Sequence, residues 1–409
     1  MPTCTARIIT VLFAMAALLA GSNTYQVYVV LPPTGFTDVS MSGINGAGQV
    51  AGYGLNGTQN QAFIGSPFGS TAVPIPAGWS GTQAYGINES GQIAGYAING
   101  SNNQAFIGTA AASALIPLPA GWTGSTFGYG INDSGQLAGY GGAAVQAFVG
   151  TSSGSTAIAP ASNPATFQPT GINNSGEVVG YGLDEQNSIS TLLPEVGSTS
   201  QGAAAVAGFF ADWIGVAIND SNDIVTFTSD VVSTGQTGQV DFVQPYGFGR
   251  SGYGPPTVIP VPTGATTMSA YYGSITNFGF VVGSSDVGGW IWNPFTDTTQ
   301  LLNTMVPPGW DITSALSISN NGIILAEGSL NGARTEFVEL GPQGTLPEPA
   351  SFLLAGGGIM LLGVARFVRK PNHSSRAWWA VRESHLATIR LRVAHASTRA
   401  VSTFVSTCL

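Results

Sequence analysis

Along most of the chain, apolar and polar positions alternate over short runs, and each run is cut by a turn rich in Gly or Asn. That is the pattern of hairpins in a sheet. The clearest run is Gly43-Ile44-Asn45-Gly46-Ala47-Gly48-Gln49-Val50-Ala51-Gly52-Tyr53, and it returns from Gly86 to Tyr96, from Gly130 to Tyr140 and from Gly171 to Tyr181. Looser copies follow around Asn219, Thr276 and Ser319. In each clear copy the Asn (Asn45, Asn88, Asn132, Asn173) opens a turn with its short side chain. The residue three further on (Gly48, Gly91, Gly135, Gly176) supplies the positive φ that closes it. After Asn219 that place is taken by Asn222, the kind of residue that tolerates this conformation next best after Gly.

Counted from the Asn45 position, successive units are 43, 44, 41, 46, 57 and 43 residues apart, the period of four-stranded propeller blades. Third strands are expected at Gln61–Gly65, Gln104–Gly108 and Gln146–Gly150, and later at Trp290–Trp292 and Glu336–Val338. Fourth strands are expected at Ala72–Pro76 and Leu115–Pro119, where proline suits an outer edge. Connections carrying Trp79, Trp122 and Trp310 follow the fourth strands. The segment Tyr25–Pro32 reads as a lone fourth strand, and the last unit, Ser317–Gly341, has three strands. The expected fold is therefore all-β, a seven-bladed β-propeller over residues 23–345 closed by the N-terminal strand; an open β-solenoid is the alternative.

Two apolar runs lack this alternation. Ile8–Ala20 follows Arg7 and ends in small residues, so residues 1–22 read as a secretory signal peptide cleaved near Asn23. Phe352–Ala365 is bounded by Pro347-Glu348-Pro349 before it and by Arg366, Arg369 and Lys370 after it, and reads as a short transmembrane helix with its basic side in the cytoplasm. Residues 371–409 form a basic tail, helical or disordered, that holds all three histidines.

The order of triplet, helix and basic stop in residues 346–370 resembles the PEP-CTERM sorting signal of Gram-negative bacteria. That resemblance implies an exosortase-type sorting machinery as partner, passage through the membrane, and delivery to the cell surface, often beside exopolysaccharide. The repeat unit resembles the HAF repeats of bacterial extracellular proteins, with Gln61, Gln104 and Gln146 where that family has His.

Composition narrows the chemistry. With 8% charged and 44% hydrophobic residues, 57 Gly and 24 Pro, the chain is a packed, turn-rich body rather than a solvated polymer. Residues 25–365 hold two basic and nineteen acidic residues, a net charge of −17, which argues against nucleic acid as a partner. Cys4 and Cys408 lie at the extremes, and the body has no His, Lys or Cys. This excludes the usual base of a serine or cysteine hydrolase, Schiff-base chemistry, and imidazole or thiolate metal sites. No catalytic residue, cofactor or metal site is assigned.

Carboxylates alone could still act on glycans, and the nearest candidates are Asp184-Glu185, Asp220 with Asp223, and Asp230 with Asp241. Asp220-Ser221-Asn222-Asp223 could gather oxygens around Ca²⁺, or be a turn variant of the repeat. The Asn-x-Ser triplets at Asn88, Asn132, Asn173 and Asn219 read as turn chemistry rather than glycosylation sites. Trp79, Trp122, Trp310 and Tyr253 offer faces for sugar stacking or for packing between blades. The functional expectation is an exported surface or matrix protein with a non-catalytic binding or adhesion ectodomain and exopolysaccharide as a candidate ligand. The alternative is an extracellular, carboxylate-dependent glycan-active enzyme.

Overall fold

The computed structural model describes residues 25–343 apart from 143–144, 161–165, 187–188, 207–212, 229–237 and 246–252. The signal peptide (1–22), the sorting signal with its helix, and the 371–409 tail lie outside the described residues. Among the described residues the one helical element is the 3-10 turn Leu302–Thr304, and no helix is long and apolar enough to cross a membrane.

The described strands form seven four-stranded antiparallel sheets. Blade 1 runs inner to outer as Phe36–Ile44, Val50–Asn56, Gln59–Ser66 and Gly69–Ala72. Blades 2 to 6 repeat this order over residues 81–115, 126–157, 168–205, 213–258 and 268–301. Blade 7 takes Trp310–Ile318, Ile324–Leu330 and Glu336–Pro342 from its own unit and Tyr25–Val29 as its outer strand. Tyr25 pairs with Pro342 and Val29 with Val338, so the first strand of the described chain completes the last sheet. This is a seven-bladed β-propeller closed as the terminal strands required. Seven apolar clusters fill the seven interfaces between neighbouring blades, the seam between blades 7 and 1 included, where Ile323 and Leu325 meet Val30, Met41 and Phe63. An open solenoid would leave that seam unmade.

Each blade is buried on both faces, which explains why second strands carry continuous small apolar runs. Val50 and Ala51 are both fully buried although they point to opposite faces. The blade centre admits no side chain at some positions: a Cβ on Gly95 would stand 1.8 Å from the Gln83 carbonyl oxygen.

The outer strands begin and end earlier than the sequence pattern suggests, at Gly69–Ala72 and Ser113–Leu115. Ladder bonding stops with Val73 N–H donating to Ala62 O and Ile116 N–H to Ala105 O. Pro74 and Pro117 then come next, and having no N–H they cannot extend the ladder. The prolines are strand terminators here, not edge-strand residues.

Candidate functional site: an aromatic dish over the propeller axis

The repeated Asn does more than open its own turn. Asn88 Oδ1 accepts from Ser90 N–H (3.1 Å) and Gln92 N–H (2.9 Å), while Asn88 Nδ2 donates to the Asn132 carbonyl of the next blade at 3.0 Å. The same inter-blade bond joins Asn45 to Asn88, Asn132 to Asn173, Asn173 to Asn219 and Asn219 to Thr276. Asn321 Nδ2 donates to Gly46 O across the closing seam at 2.7 Å. The closing turn residues have the expected positive φ, 72° at Gly48 and Gly91, 74° at Gly135, 79° at Gly176 and 64° at Asn222. The Asn residues are buried, which supports turn chemistry for the Asn-x-Ser triplets.

These turns gather at one end of a cavity of about 180 Å³ on the axis, lined by the inner strands of all seven blades. Every inner strand carries a β-bulge just before its turn, and bulges re-aim side chains. The bulge residue is Ser42, Tyr85, Tyr129, Thr170, Val216 and Leu316 in six blades. Blade 6 departs from this: four residues, Tyr271 to Ser274, interrupt its register, with Gly273 at φ 72°. The larger bulge carries Tyr272 to Tyr129 of blade 3, three blades away, with ring centroids 6.0 Å apart.

The second strands add a further ring of positions, eight residues after the turn Asn. In chain order these are Tyr53, Tyr96, Tyr140, Tyr181, Phe227, Ser284 and Glu327. On the side of blades 1 to 3 they merge with the bulge tyrosines into one aromatic network. Tyr85 contacts Tyr53, Tyr96 and Tyr129 at 5.7, 5.8 and 5.1 Å, and Phe127 contacts Tyr96 and Tyr140 at 5.0 and 5.2 Å. Gln83 Oε1 accepts from the hydroxyls of Tyr85 (2.8 Å) and Tyr96 (2.5 Å). These rings are half-buried, so they form a solvent-reaching surface. Burial and then neighbouring phenols push the Tyr272 hydroxyl up to about 12 and raise Tyr85, Tyr96, Tyr129 and Tyr181, which keeps this wall neutral.

The side of blades 6 and 7 is polar. Ser284 Oγ and Ser314 Oγ lie 2.5 Å apart, and Tyr271 is exposed beside them. Burial acts to raise the Tyr271 phenol, yet the hydroxyls of Ser284, Ser269 and Ser314 outweigh it and hold the phenol below its ordinary value. Glu327 acts on the same phenol, and burial raises its own carboxyl. The site is thus a dish that is aromatic along blades 1 to 5 and carries hydroxyls and one carboxylate on blades 6 and 7.

The residues singled out in the sequence fall elsewhere. Trp79, Trp122 and Trp310 lie half-buried in or beside the connections between blades. Trp122 packs edge-on against Phe148 at 5.9 Å and against the Gly142 turn, and Trp310 packs on the core between blades 6 and 7. Tyr253 packs on the core between blades 4 and 5. Asp220 is exposed and accepts from Asn174 (3.0 Å) and Asn277 (2.7 Å), whereas Asp223 is buried and accepts from Asn219 (2.9 Å). The two carboxylates therefore serve different amides. No cluster of three or more His, Cys, Asp or Glu suited to a metal occurs among the described residues. Asp230 and the side chains of Asp184 and Glu185 lie outside what is described, as do Pro347, Glu348, Pro349, Arg366, Arg369 and Lys370.

Two buried acids, Glu195 and Glu339, escaped the sequence reading, and Asp241, singled out there with Asp230, is buried as well. Third strands place Phe63, Phe106 and Phe148 opposite Gly52, Gly95 and Gly139, but Glu195 opposite Gly180 and Asp241 opposite Thr226. Burial pushes Glu195 up to about 8, Glu339 to about 7 and Asp241 to about 6. Both oxygens of Glu195 and Glu339 lack a hydrogen-bond partner among the described residues.

No family model matches the chain, and no curated protein matches it. Solved structures similar to it include YCF48 bound to D1 peptide (12% identity, 78% of this chain and 94% of that one, TM-score 0.46) and a streptogramin B lyase (11%, 78% and 98%, 0.45). TolB from Acinetobacter baumannii is a third (12%, 75% and 80%, 0.37). The propeller assignment rests on the strand pairing itself.

Proposed function

We propose that this chain is an exported cell-surface or matrix protein whose propeller is a binding ectodomain, with the aromatic dish as its ligand site and a glycan as its ligand. The observation that carries the reading is the tyrosine network of blades 1 to 3 on the same ring of positions that carries Glu327, with the exposed Tyr271 beside it. Aromatic faces stack on the C–H faces of sugar rings, and hydroxyl and carboxylate groups hydrogen-bond their rims. Export and sorting are supported by the leader pattern, the Pro347-Glu348-Pro349 triplet and the basic stop. An exosortase-type machinery is the proposed partner in transit.

A glycan array with the purified protein, run beside a hydrolysis screen, tests this: binding without turnover is expected. The carboxylate-enzyme reading keeps one point in its favour, since the raised Glu327 carboxyl is suited to a general acid. Turnover lost in Glu327→Gln would establish that reading instead. Cell fractionation tests the address, and a cytosolic protein with its leader intact would overturn the surface assignment.

A further inference from the structure

The dish is lopsided in charge. Its aromatic wall is neutral, and of the seven second-strand ring positions one carries a carboxylate, Glu327. Beside it stand the exposed Tyr271 ring and the hydroxyls of Ser269, Ser284 and Ser314. Arg334 is the one basic side chain among the described residues; it is exposed, in the loop after the second strand of blade 7, and no ion pair joins it to Glu327. A uronate or sulfated sugar entering this dish would meet Glu327 and a strongly acidic body, with no cationic partner on the dish among the described residues. An ammonium group would instead meet π faces, hydroxyl acceptors and a carboxylate, the elements that stabilise a desolvated cation.

Resting on the glycan-binding reading above, we infer that the dish selects sugars bearing a protonated amine, such as de-N-acetylated hexosamine residues, with the ring on the tyrosine wall and the ammonium between Tyr271 and Glu327. The Tyr271 ring supplies a face, Glu327 the counter-charge, and the part-exposed Ser269 accepts a remaining N–H donor. An N-acetyl group at the same carbon removes the charge and adds bulk on the polar side.

The test is isothermal titration of the full-length chain with three probes: a glucosamine hexamer, the matching N-acetylglucosamine hexamer, and spermidine. The expected result is that the glucosamine hexamer binds at least tenfold tighter than either of the others, and that Glu327→Gln narrows the ratio of the two hexamer affinities about tenfold. Tyr271→Leu is expected to narrow the same ratio, and the wild-type melting temperature in the variants shows that the fold is kept. Equal binding of the two hexamers would overturn the amine selectivity while leaving glycan binding intact. Spermidine binding as tightly as the glucosamine hexamer would reduce the effect to surface charge and overturn it too. Failure of both hexamers to bind would overturn the glycan reading beneath it.

Discussion

At the residue scale, one amide side chain does three jobs in each of the early blades: two acceptor bonds shape the turn and one donor bond joins the neighbour. Asn88→Ala leaves two backbone N–H groups and the buried Asn132 carbonyl without these partners and should cost about 2–4 kcal/mol in urea unfolding. The turn half of that role could be read from Asn and Gly spacing, whereas the inter-blade half could not, because it needs the next unit's backbone in place. The buried acids act in the opposite direction. Glu195, Glu339 and Asp241 take up protons more readily folded than unfolded, so their contribution is fully present below about pH 4 and is lost as pH rises through about 6 to 8. Thermal melts should accordingly show a decline in stability over that range. Glu195→Leu should flatten the decline and raise stability at pH 9, since an unpartnered buried charge is replaced by an apolar side chain.

At the element scale, the strand Tyr25–Val29 contributes a whole edge to blade 7 and a fully buried Tyr25 to the core between blades 6 and 7. A chain lacking this strand should melt about 10 °C lower or more and aggregate through the bared edge of Glu336–Pro342. Blade count, hairpin turns and closure were legible because period and turn chemistry are local signals. Outer-strand limits were not, since Pro74 and Pro117 were read as edge residues when their missing N–H ends the ladder. The site escaped for a related reason. Tyr53, Tyr96, Tyr140 and Tyr181 close every clear repeat and were in view, but a bulge that turns Tyr85 and Tyr129 inward has no sequence signature. The tryptophans drew attention by size, and Trp122 turns out to pack on Phe148.

At the scale of the whole molecule, sevenfold repetition builds the ring and departures from it build the site. The enlarged bulge of blade 6 brings Tyr272 to Tyr129, and the change from Tyr to Ser284 and Glu327 gives the dish its polar side. A body this acidic should also gain stability with salt, with a melting temperature a few degrees higher (about 3 °C) at 0.5 M than at 0.02 M NaCl. The most direct measurement of the account is titration of a bound oligosaccharide against two paired variants, Tyr85→Ala with Tyr129→Ala, and Trp79→Ala with Trp122→Ala. Loss of affinity by at least about tenfold in the tyrosine pair, with the tryptophan pair within about twofold of wild type, is the outcome expected of a dish on the axis. Unchanged binding in the tyrosine pair, or loss confined to the tryptophan pair, would contradict it and move the site to the connections between blades.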